Sequence, residues 1–284
     1  MQTPKNTLRR RDFIIVLLGQ IISLFGNAIL RFALPLHLLR ATGSAALFGG
    51  VSALSFAPMI VLSLLGGVLV GTVVGMFNGV VISKTTIPPF IVTLATMNVA
   101  KGLAYVYTGG SPVRVVTKEW QFLGAGYVGG VPTPVILLAV VLVITAIIMN
   151  KTKLGRHIYA VGGNSQAARF SGISTAKVKF LVHTYSGIMA GLAGVVLASR
   201  MYSGQPTAGD GAEMDAIAAV VVGGTSMAGG SGKIGGTIIG GLIIGVLNNG
   251  LNLLNVNSFW QYVVKGTVIL LAVFVDYLRN KKAE

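Results

Sequence analysis

The stretch VPTPVILLAVVLVITAIIM, residues 131–149, decides the fold class. It carries no charge and is long enough to cross a bilayer as a helix, which takes about 17–25 residues. Over the whole chain, hydrophobic residues make up 53% and charged residues only 10%, whereas soluble domains carry about 25% charged residues. We therefore predict an all-α, polytopic integral membrane protein. This composition excludes a disordered chain and argues against a soluble globular enzyme.

Similar apolar runs lie on both sides of this stretch and predict about eight to nine transmembrane or partial spans. The run that begins at Met214 is short, and Lys101 interrupts another. The runs are Phe13–Leu30, Ala41–Ser83, Phe90–Tyr107, Val131–Met149, Phe180–Ser199, Met214–Met227, Ile234–Leu254 and Phe259–Val275.

The basic residues lie mainly between these runs and predict which links are cytoplasmic. The net charge is +15, and the positive-inside rule explains this excess more simply than nucleic-acid binding does. Residues 150–179 hold six lysines or arginines and no acid, so we place this segment in the cytoplasm. The two termini, with Arg9–Arg11 and Arg279–Lys282, are predicted to be cytoplasmic too. The absence of cysteine excludes disulfides and thiol catalysis, and three scattered histidines predict no metal site.

The glycine-rich stretch 223–245 formally contains the spacing of a dinucleotide-binding fingerprint. It fails the context test, because no strand precedes it and no acid follows at the required distance. A phosphate-binding Walker sequence is excluded too, since Met227 stands at the first glycine position and Ile234 follows Lys233. The chain therefore shows no ATP site of its own. The glycines indicate tight helix packing or direct substrate contact. Residues 223–232 could also form a non-helical break, which is tolerated at membrane depth only where it lines a cavity.

Four long stretches resemble the permease subunit of bacterial ribose-type sugar ABC importers. They are IPPFIVTLATMNVAKGLAYVYTGGSPV (87–113), LGRHIYAVGGNSQAARFSGI (154–173), GQPTAGDGAEMDAIAAVVVGGTSMAGGSGKIGGTIIGGLIIGVLNNGLNLL (204–254) and FWQYVVKGTVILLAV (259–273). The resemblance covers residues 66–284 and implies a subunit of the bacterial inner membrane that does no chemistry itself. It implies a second permease copy, an ABC ATPase subunit inside, a sugar-binding protein outside, and alternating access. No cofactor is implied.

The basic segment between two spans resembles the ATPase-coupling segment of this family. Asn164 or Ser165 can cap a short helix from Gln166 to Phe170. Residues 166–172 then match the family's Glu-Ala-Ala-x-x-x-Gly pattern, with Gln166 in the Glu position. The alternative is an ordinary positive-inside loop. The segment assigned to coupling contains Gly162, Gly163, Asn164, Gln166, Ala167, Ala168, Arg169 and Gly172.

Four polar residues in or near the later spans are candidates for the translocation path or its gate: Asp215, Asn248, Asn252 and Gln261. Amides donate and accept hydrogen bonds, which suits sugar hydroxyls but equally suits contacts between helices. We expect Asn248, Asn252 and Asn255 to share one helix face, from their spacing. A role in the translocation path and a structural role between helices therefore both stay open for these residues.

Residues 1–68 resemble the first two spans of a major facilitator superfamily transporter, and residues 69–284 the permease domain. The chain then looks like a junction of two transporters within residues 62–71. The predicted number of membrane crossings also indicates a junction. Residues 41–83 are long enough for two spans, whereas the cytoplasmic placement of the charges on either side requires an odd number of crossings. The alternatives to a sugar permease are a proton-coupled major facilitator fragment and a non-functional fusion product.

Overall fold

A computed structural model describes residues 44–114 and 118–281 of the chain. The chain divides into two compact units, Met1–Leu62 and Ser63–Glu284. The described helices are α1 (Ala45–Lys84), α2 (Pro89–Thr108), α3 (Lys118–Ala125), α4 (Thr133–Lys151), α5 (Lys153–Gly163), α6 (Ser165–Phe170), α7 (Thr175–Arg200), α8 (Ala212–Val222), α9 (Ile234–Leu253) and α10 (Ser258–Lys281).

Six helical segments are long and apolar enough to cross a membrane, counted over the described residues alone. Their mean hydropathy runs from 1.3 to 2.5. The segments are Leu64–Lys84, Pro89–Thr108, Thr133–Lys151, Thr175–Arg200, Ile234–Leu253 and Phe259–Asp276. The prediction of an all-α, polytopic membrane protein is confirmed. The short run at Met214 forms α8, which at 1.5 Å per residue is about 16 Å long and is a partial span.

Helix α1 packs against α7 along a line of glycines that repeats every four residues. An ideal Cβ on Gly75 would lie 2.6 Å from the carbonyl oxygen of His183, and one on Gly79 would lie 2.9 Å from that of Phe180. Cβ atoms on Gly71 and Gly187 would each overlap the other helix's backbone. The two backbones are therefore in direct contact, as in small-residue helix pairs within lipid. We call this contact the α1–α7 seam.

Four two-residue strands tie the links at one end of the bundle together. Strand β1 (Val113–Arg114) pairs antiparallel with β4 (Ser203–Gly204). Strands β2 (Tyr127–Val128) and β3 (Val131–Pro132) form a hairpin. Its two turn residues, Gly129 and Gly130, have φ of 57° and 83°, the left-handed conformation that tight hairpin turns require. The β1–β4 pair brings together two links, after α2 and after α7, that the charge pattern predicts on one side.

Helix α3 is fixed to the end of α7 by Ser199, whose residue surface is 0% exposed. The Ser199 hydroxyl donates to the Trp120 carbonyl oxygen at 2.5 Å and accepts from the Gly124 amide at 2.8 Å. One hydroxyl therefore satisfies two buried backbone groups of the link before α4, which stabilises its path over the bundle.

Two details differ from the sequence-based expectation. Asn255 does not share the face of Asn248 and Asn252, because α9 ends at Leu253 and Asn255 adopts a left-handed φ of 51°. In the stretch 41–83, the described residues form one helix, α1, which contains the candidate span Leu64–Lys84. The first predicted span, Phe13–Leu30, and the N-terminal arginines lie outside the described residues.

Candidate translocation site

The short helix α8 and the two long helices α9 and α10 bring polar side chains together in the otherwise apolar bundle. Asp215 lies in the first turn of α8, where a carboxylate interacts favourably with the helix dipole. Its Oδ2 accepts a hydrogen bond from the Asn248 amide at 3.1 Å and lies 3.0 Å from Lys265 Nζ. The side chains of Asp215 and Lys265 are 30% and 23% exposed. Helices α8, α9 and α10 thus converge on one carboxylate.

Asn252 and Gln261 form a second pair beside this group. Gln261 Nε2 donates to Asn252 Oδ1 at 2.9 Å and to the Val256 carbonyl oxygen at 3.0 Å. All four predicted path residues are therefore hydrogen-bonded in pairs, Asp215 with Asn248 and Asn252 with Gln261. We call these four residues together with Lys265 the polar site.

A cavity of about 420 Å³ opens beside the polar site. Gln261 and Lys265 line it on α10, together with the residues that enter α8. Its volume lies in the range of small-molecule sites. The lining residues are Asp210, Gly211, Met214, Gln261, Tyr262, Lys265, Gly266 and Ile269.

The position of Lys265 along α10 places the polar site well inside the bundle. At 1.5 Å per residue, Lys265 lies about 9 Å from the Phe259 end and about 16 Å from the Asp276 end of the candidate span Phe259–Asp276. A lysine at this depth needs an anionic partner, and Asp215 supplies it. The pair cancels its own charge, so the site suits a neutral, hydroxyl-rich solute better than an ion.

A second ion pair lies near the mouth of the cavity. Lys101, which interrupts the apolar run of α2, has its Nζ 2.9 Å from Asp210 Oδ2, and the two side chains are 38% and 46% exposed. Among the described residues, Asp210 and Asp215 are thus each bound to a lysine rather than to each other. No group of three or more metal-ligating side chains occurs in the described ranges.

The segment assigned to ATPase coupling forms two helices that share one capping residue. Asn164 ends α5 and begins α6, and its Oδ1 accepts from the amides of Gln166 at 3.0 Å and Ala167 at 2.9 Å. Ala168 is buried. Gly172 ends the unit in a left-handed turn with φ of 79°. This geometry agrees with the predicted cap. Residues 164–172 form a compact, exposed unit, which we call the knob.

Phe170, which we did not single out from the sequence, is the most exposed apolar side chain of this knob, at 90%. Arg169, also exposed, stands beside it. Phenylalanine and arginine are both enriched at protein–protein interfaces. Exposure depends on the tertiary fold, so no local pattern could have identified it.

Comparison with known proteins supplies a family match. The family model described as branched-chain amino acid transport system / permease component matches residues 39–273. The chain is 50% identical over 208 residues to the ribose import permease protein RbsC of Bacillus subtilis (strain 168), covering 72% of this chain and 64% of that protein. No solved structure matches.

Two further relatives have related names. Identity to the ribose import permease protein RbsC of Escherichia coli (strain K12) is 47%, over 75% of this chain and 66% of that protein. Identity to the L-arabinose transport system permease protein AraH of the same strain is 41%, over 72% of this chain and 62% of that protein. The chain thus spans about two thirds of the length of these relatives.

Proposed function

Because the chain belongs to the family of branched-chain amino acid transport system permease components, we propose that it is the translocation subunit of an ATP-driven importer of ribose or a similar monosaccharide. The observation that carries this proposal is the polar site, a charge-neutral cluster of carboxylate, ammonium and amide groups within an apolar bundle. Such groups match the hydroxyls of a sugar, which need both donors and acceptors. The names of the relatives support the solute class.

The proposed assembly is a pair of permease copies in a bacterial inner membrane, with both termini in the cytoplasm. An ABC ATPase subunit binds on the cytoplasmic side, and a sugar-binding protein delivers the sugar on the other. Large apolar side chains on the bundle surface, such as Val106 and Leu242, at 83% and 64% exposure, are available to lipid or to the second copy. ATP binding and hydrolysis in the partner would rock the spans between outward- and inward-open states.

In this mechanism the polar site does no chemistry. Asp215 and Lys265 hold each other in place and offer the remaining lone pairs and protons to sugar hydroxyls. Gln261, which lines the cavity, adds an amide, and Asn248 and Asn252 hold Asp215 and Gln261 in place. A carboxylate and ammonium that trade protein partners for sugar hydroxyls can bind and release a neutral solute with little change in net hydrogen bonding. Such weak, replaceable contacts suit a translocation path, because the sugar must be released after it binds.

The test of the proposed function is sugar uptake by proteoliposomes that contain the chain with an ATPase subunit and a binding protein of a ribose importer. We expect labelled ribose to accumulate only when ATP is present on the ATPase side. Uptake that follows a proton gradient without ATP would instead favour a major facilitator activity. A chain that forms no stable complex with an ATPase would favour a non-functional fusion product.

Phe170 is expected to anchor the ATPase subunit. Replacing it with alanine should weaken ATPase binding by roughly 10- to 30-fold, since truncating an aromatic anchor commonly costs about 2 kcal/mol, and tenfold corresponds to about 1.4 kcal/mol. Titration of detergent-solubilised permease with labelled ATPase measures this. Tyr127→Ala is the matched control, because Tyr127 is an exposed aromatic (67%) on the β2–β3 hairpin at the other end of the bundle. Equal affinities for the two variants would contradict the assignment.

The two-part organisation of the chain stays a proposal: residues 1–68 as major-facilitator-like spans and 69–284 as the permease domain. The family match overlaps the first part over residues 39–68. The α1–α7 seam begins at Gly67, whose Cβ would overlap the Val195 side chain, so we move the proposed start of the permease part from residue 69 to Gly67 or earlier. Long-read sequencing of the source DNA through codons 55–80 tests the junction. Reads that separate into two genes would contradict a genuine fusion.

A further inference from the structure

Residues 223–233, GGTSMAGGSGK, form an irregular loop between α8 and α9 that contacts two other elements, α5 and α10. We call it the glycine loop. It lies against the C-terminal end of α5, where Gly162 and Gly163 belong to the segment proposed to couple to the ATPase. It also begins directly at the end of α8, whose first turn holds Asp215. The loop is therefore placed between the two functional regions of the chain.

On one side, the glycine loop lies directly on α5. The Tyr159 hydroxyl donates to the Gly232 carbonyl oxygen at 3.1 Å. An ideal Cβ on Gly162 would lie 2.7 Å from the amide nitrogen of Gly230, and one on Gly229 would lie 2.6 Å from the carbonyl oxygen of Gly162. Backbone thus touches backbone, and a side chain at Gly162 would push the two apart.

On the other side, the loop is bound to α10 through Asp276. Asp276 Oδ2 accepts from the Met227 amide at 3.2 Å and from the Ser226 hydroxyl at 3.4 Å. The loop is therefore connected to both residues of the Asp215–Lys265 ion pair. It continues directly from α8, which carries Asp215, and it binds Asp276 on α10, the helix that carries Lys265.

The loop also has defined internal structure. The Ser226 amide donates to the Ser231 carbonyl oxygen at 3.1 Å, and the Gly229 amide donates to the Ser226 carbonyl oxygen at 3.1 Å. Gly223 and Gly236 are packed so closely that a Cβ on Gly223 would lie 2.6 Å from the Gly236 carbonyl carbon. A segment held by these bonds transmits displacement, whereas an unrestrained linker of the same length would absorb it.

We propose that the glycine loop transmits the motion of α5 and α6 to α8 and α10, with Tyr159 and Asp276 as its positioning residues. This rests on the proposed function. When the ATPase displaces α5, the loop moves with it, because Gly162 and Tyr159 hold it there. The inner ends of α8 and α10 follow, and the geometry of Asp215 and Lys265 changes. Tyr159 and Asp276 act only through the loop and need not touch sugar.

The experiment measures sugar transported per ATP hydrolysed in proteoliposomes with the complete complex. Tyr159→Phe removes the α5 hydroxyl that donates to the loop, and Asp276→Ala removes the acceptor on α10. Each is expected to lower sugar per ATP at least ~5-fold, the lower end of usual coupling factors, while the complex still assembles and hydrolyses ATP. Asp276→Asn retains an acceptor oxygen and should restore the ratio. Gly235→Ala is the control, because its Cβ would meet nothing within 4 Å.

A thiol probe tests the motion itself, since the chain has no cysteine. Ala228 lies exposed in the loop, so Ala228→Cys can be labelled in the assembled complex. We expect nucleotide to change the labelling rate at least ~3-fold, and Asp276→Ala to reduce that difference. Equal sugar per ATP in all variants, or a labelling rate that ignores nucleotide in a transporting complex, would overturn the inference. A parent complex without ATP-driven uptake would instead refute the proposed function, and this inference with it.

Discussion

Asp215→Asn is expected to lower ATP-driven sugar uptake at least ~10-fold, because it leaves Lys265 without its anionic partner within a membrane-spanning helix. The Asn248 amide also loses a charged acceptor, and charge-assisted hydrogen bonds are roughly twice as strong as neutral ones. The measurement is initial uptake of labelled sugar by proteoliposomes, with permease content matched by quantitative blotting.

The double variant Asp215→Asn/Lys265→Gln separates loss of the pair from loss of one charge. Removing both charges leaves no unpaired ion in the bundle, so the double variant should fold better than Asp215→Asn alone. We expect its thermal stability in detergent to recover most of the loss, and its uptake to stay below that of the parent. Uptake that recovered fully would indicate a purely structural ion pair.

Glu213→Gln is the matched control for Asp215→Asn. Glu213 lies in the same first turn of α8 but is exposed and does not line the cavity. The same loss of one carboxylate charge should therefore leave uptake within about 2-fold, because surface charges contribute little. Equal losses in Glu213→Gln and Asp215→Asn would indicate an effect of net charge near α8 rather than of the polar site.

Gly71→Leu is expected to destabilise the described bundle strongly. An ideal Cβ on Gly71 would lie 2.8 Å from the Gly191 amide nitrogen and from its Cα, and would overlap the Gly187 carbonyl oxygen. These are backbone atoms, so no side-chain rotation can make room. We expect destabilisation of at least ~3 kcal/mol, the upper end for overpacking, and little monodisperse protein in size-exclusion chromatography.

Gly66→Leu is the control on the same helix, because a Cβ on Gly66 would meet nothing within 4 Å. On α7, Gly194→Ala and Gly191→Ala form a second matched pair. Gly194 has open space, whereas a Cβ on Gly191 would lie 3.1 Å from Val68 Cα. Gly66→Leu and Gly194→Ala should give near-parental yield and melting temperature. If Gly71→Leu were as stable as Gly66→Leu, the α1–α7 seam would be wrong.

Much of the fold could be predicted from local sequence, because hydropathy fixes where a helix can lie in lipid. The run Val131–Met149 became α4, Thr133–Lys151, and the cap at Asn164 follows from a side-chain oxygen beside free amides. The prediction that Asn255 shares a helix face with Asn248 and Asn252 was wrong. Asn255 continues the helical spacing of Asn248 and Asn252, but the helix ends before Leu254. The spacing of polar residues does not indicate where a helix ends.

The contacts that define the site could not be predicted, because they join residues far apart in sequence. From sequence, a lysine within a span such as Lys265 indicates only that some anionic partner or function exists. That the partner is Asp215 is known only from the packing of α8 on α10. The same holds for the α1–α7 seam. Glycines at 67, 71, 75 and 79 have an evident spacing, but the sequence does not say which helix they face.

The most direct test of the central claim is thiol labelling of the cavity beside the polar site. Met214, 50% exposed, lines this cavity, whereas Leu271, 58% exposed, lies on the apolar surface of α10. We predict that a charged, water-soluble thiol reagent reacts with Met214→Cys in the assembled complex and that saturating ribose slows this reaction. Leu271→Cys should stay unreactive in lipid. A Met214→Cys thiol as inert as Leu271→Cys, or labelled at one rate with and without sugar, would contradict a sugar path at this site.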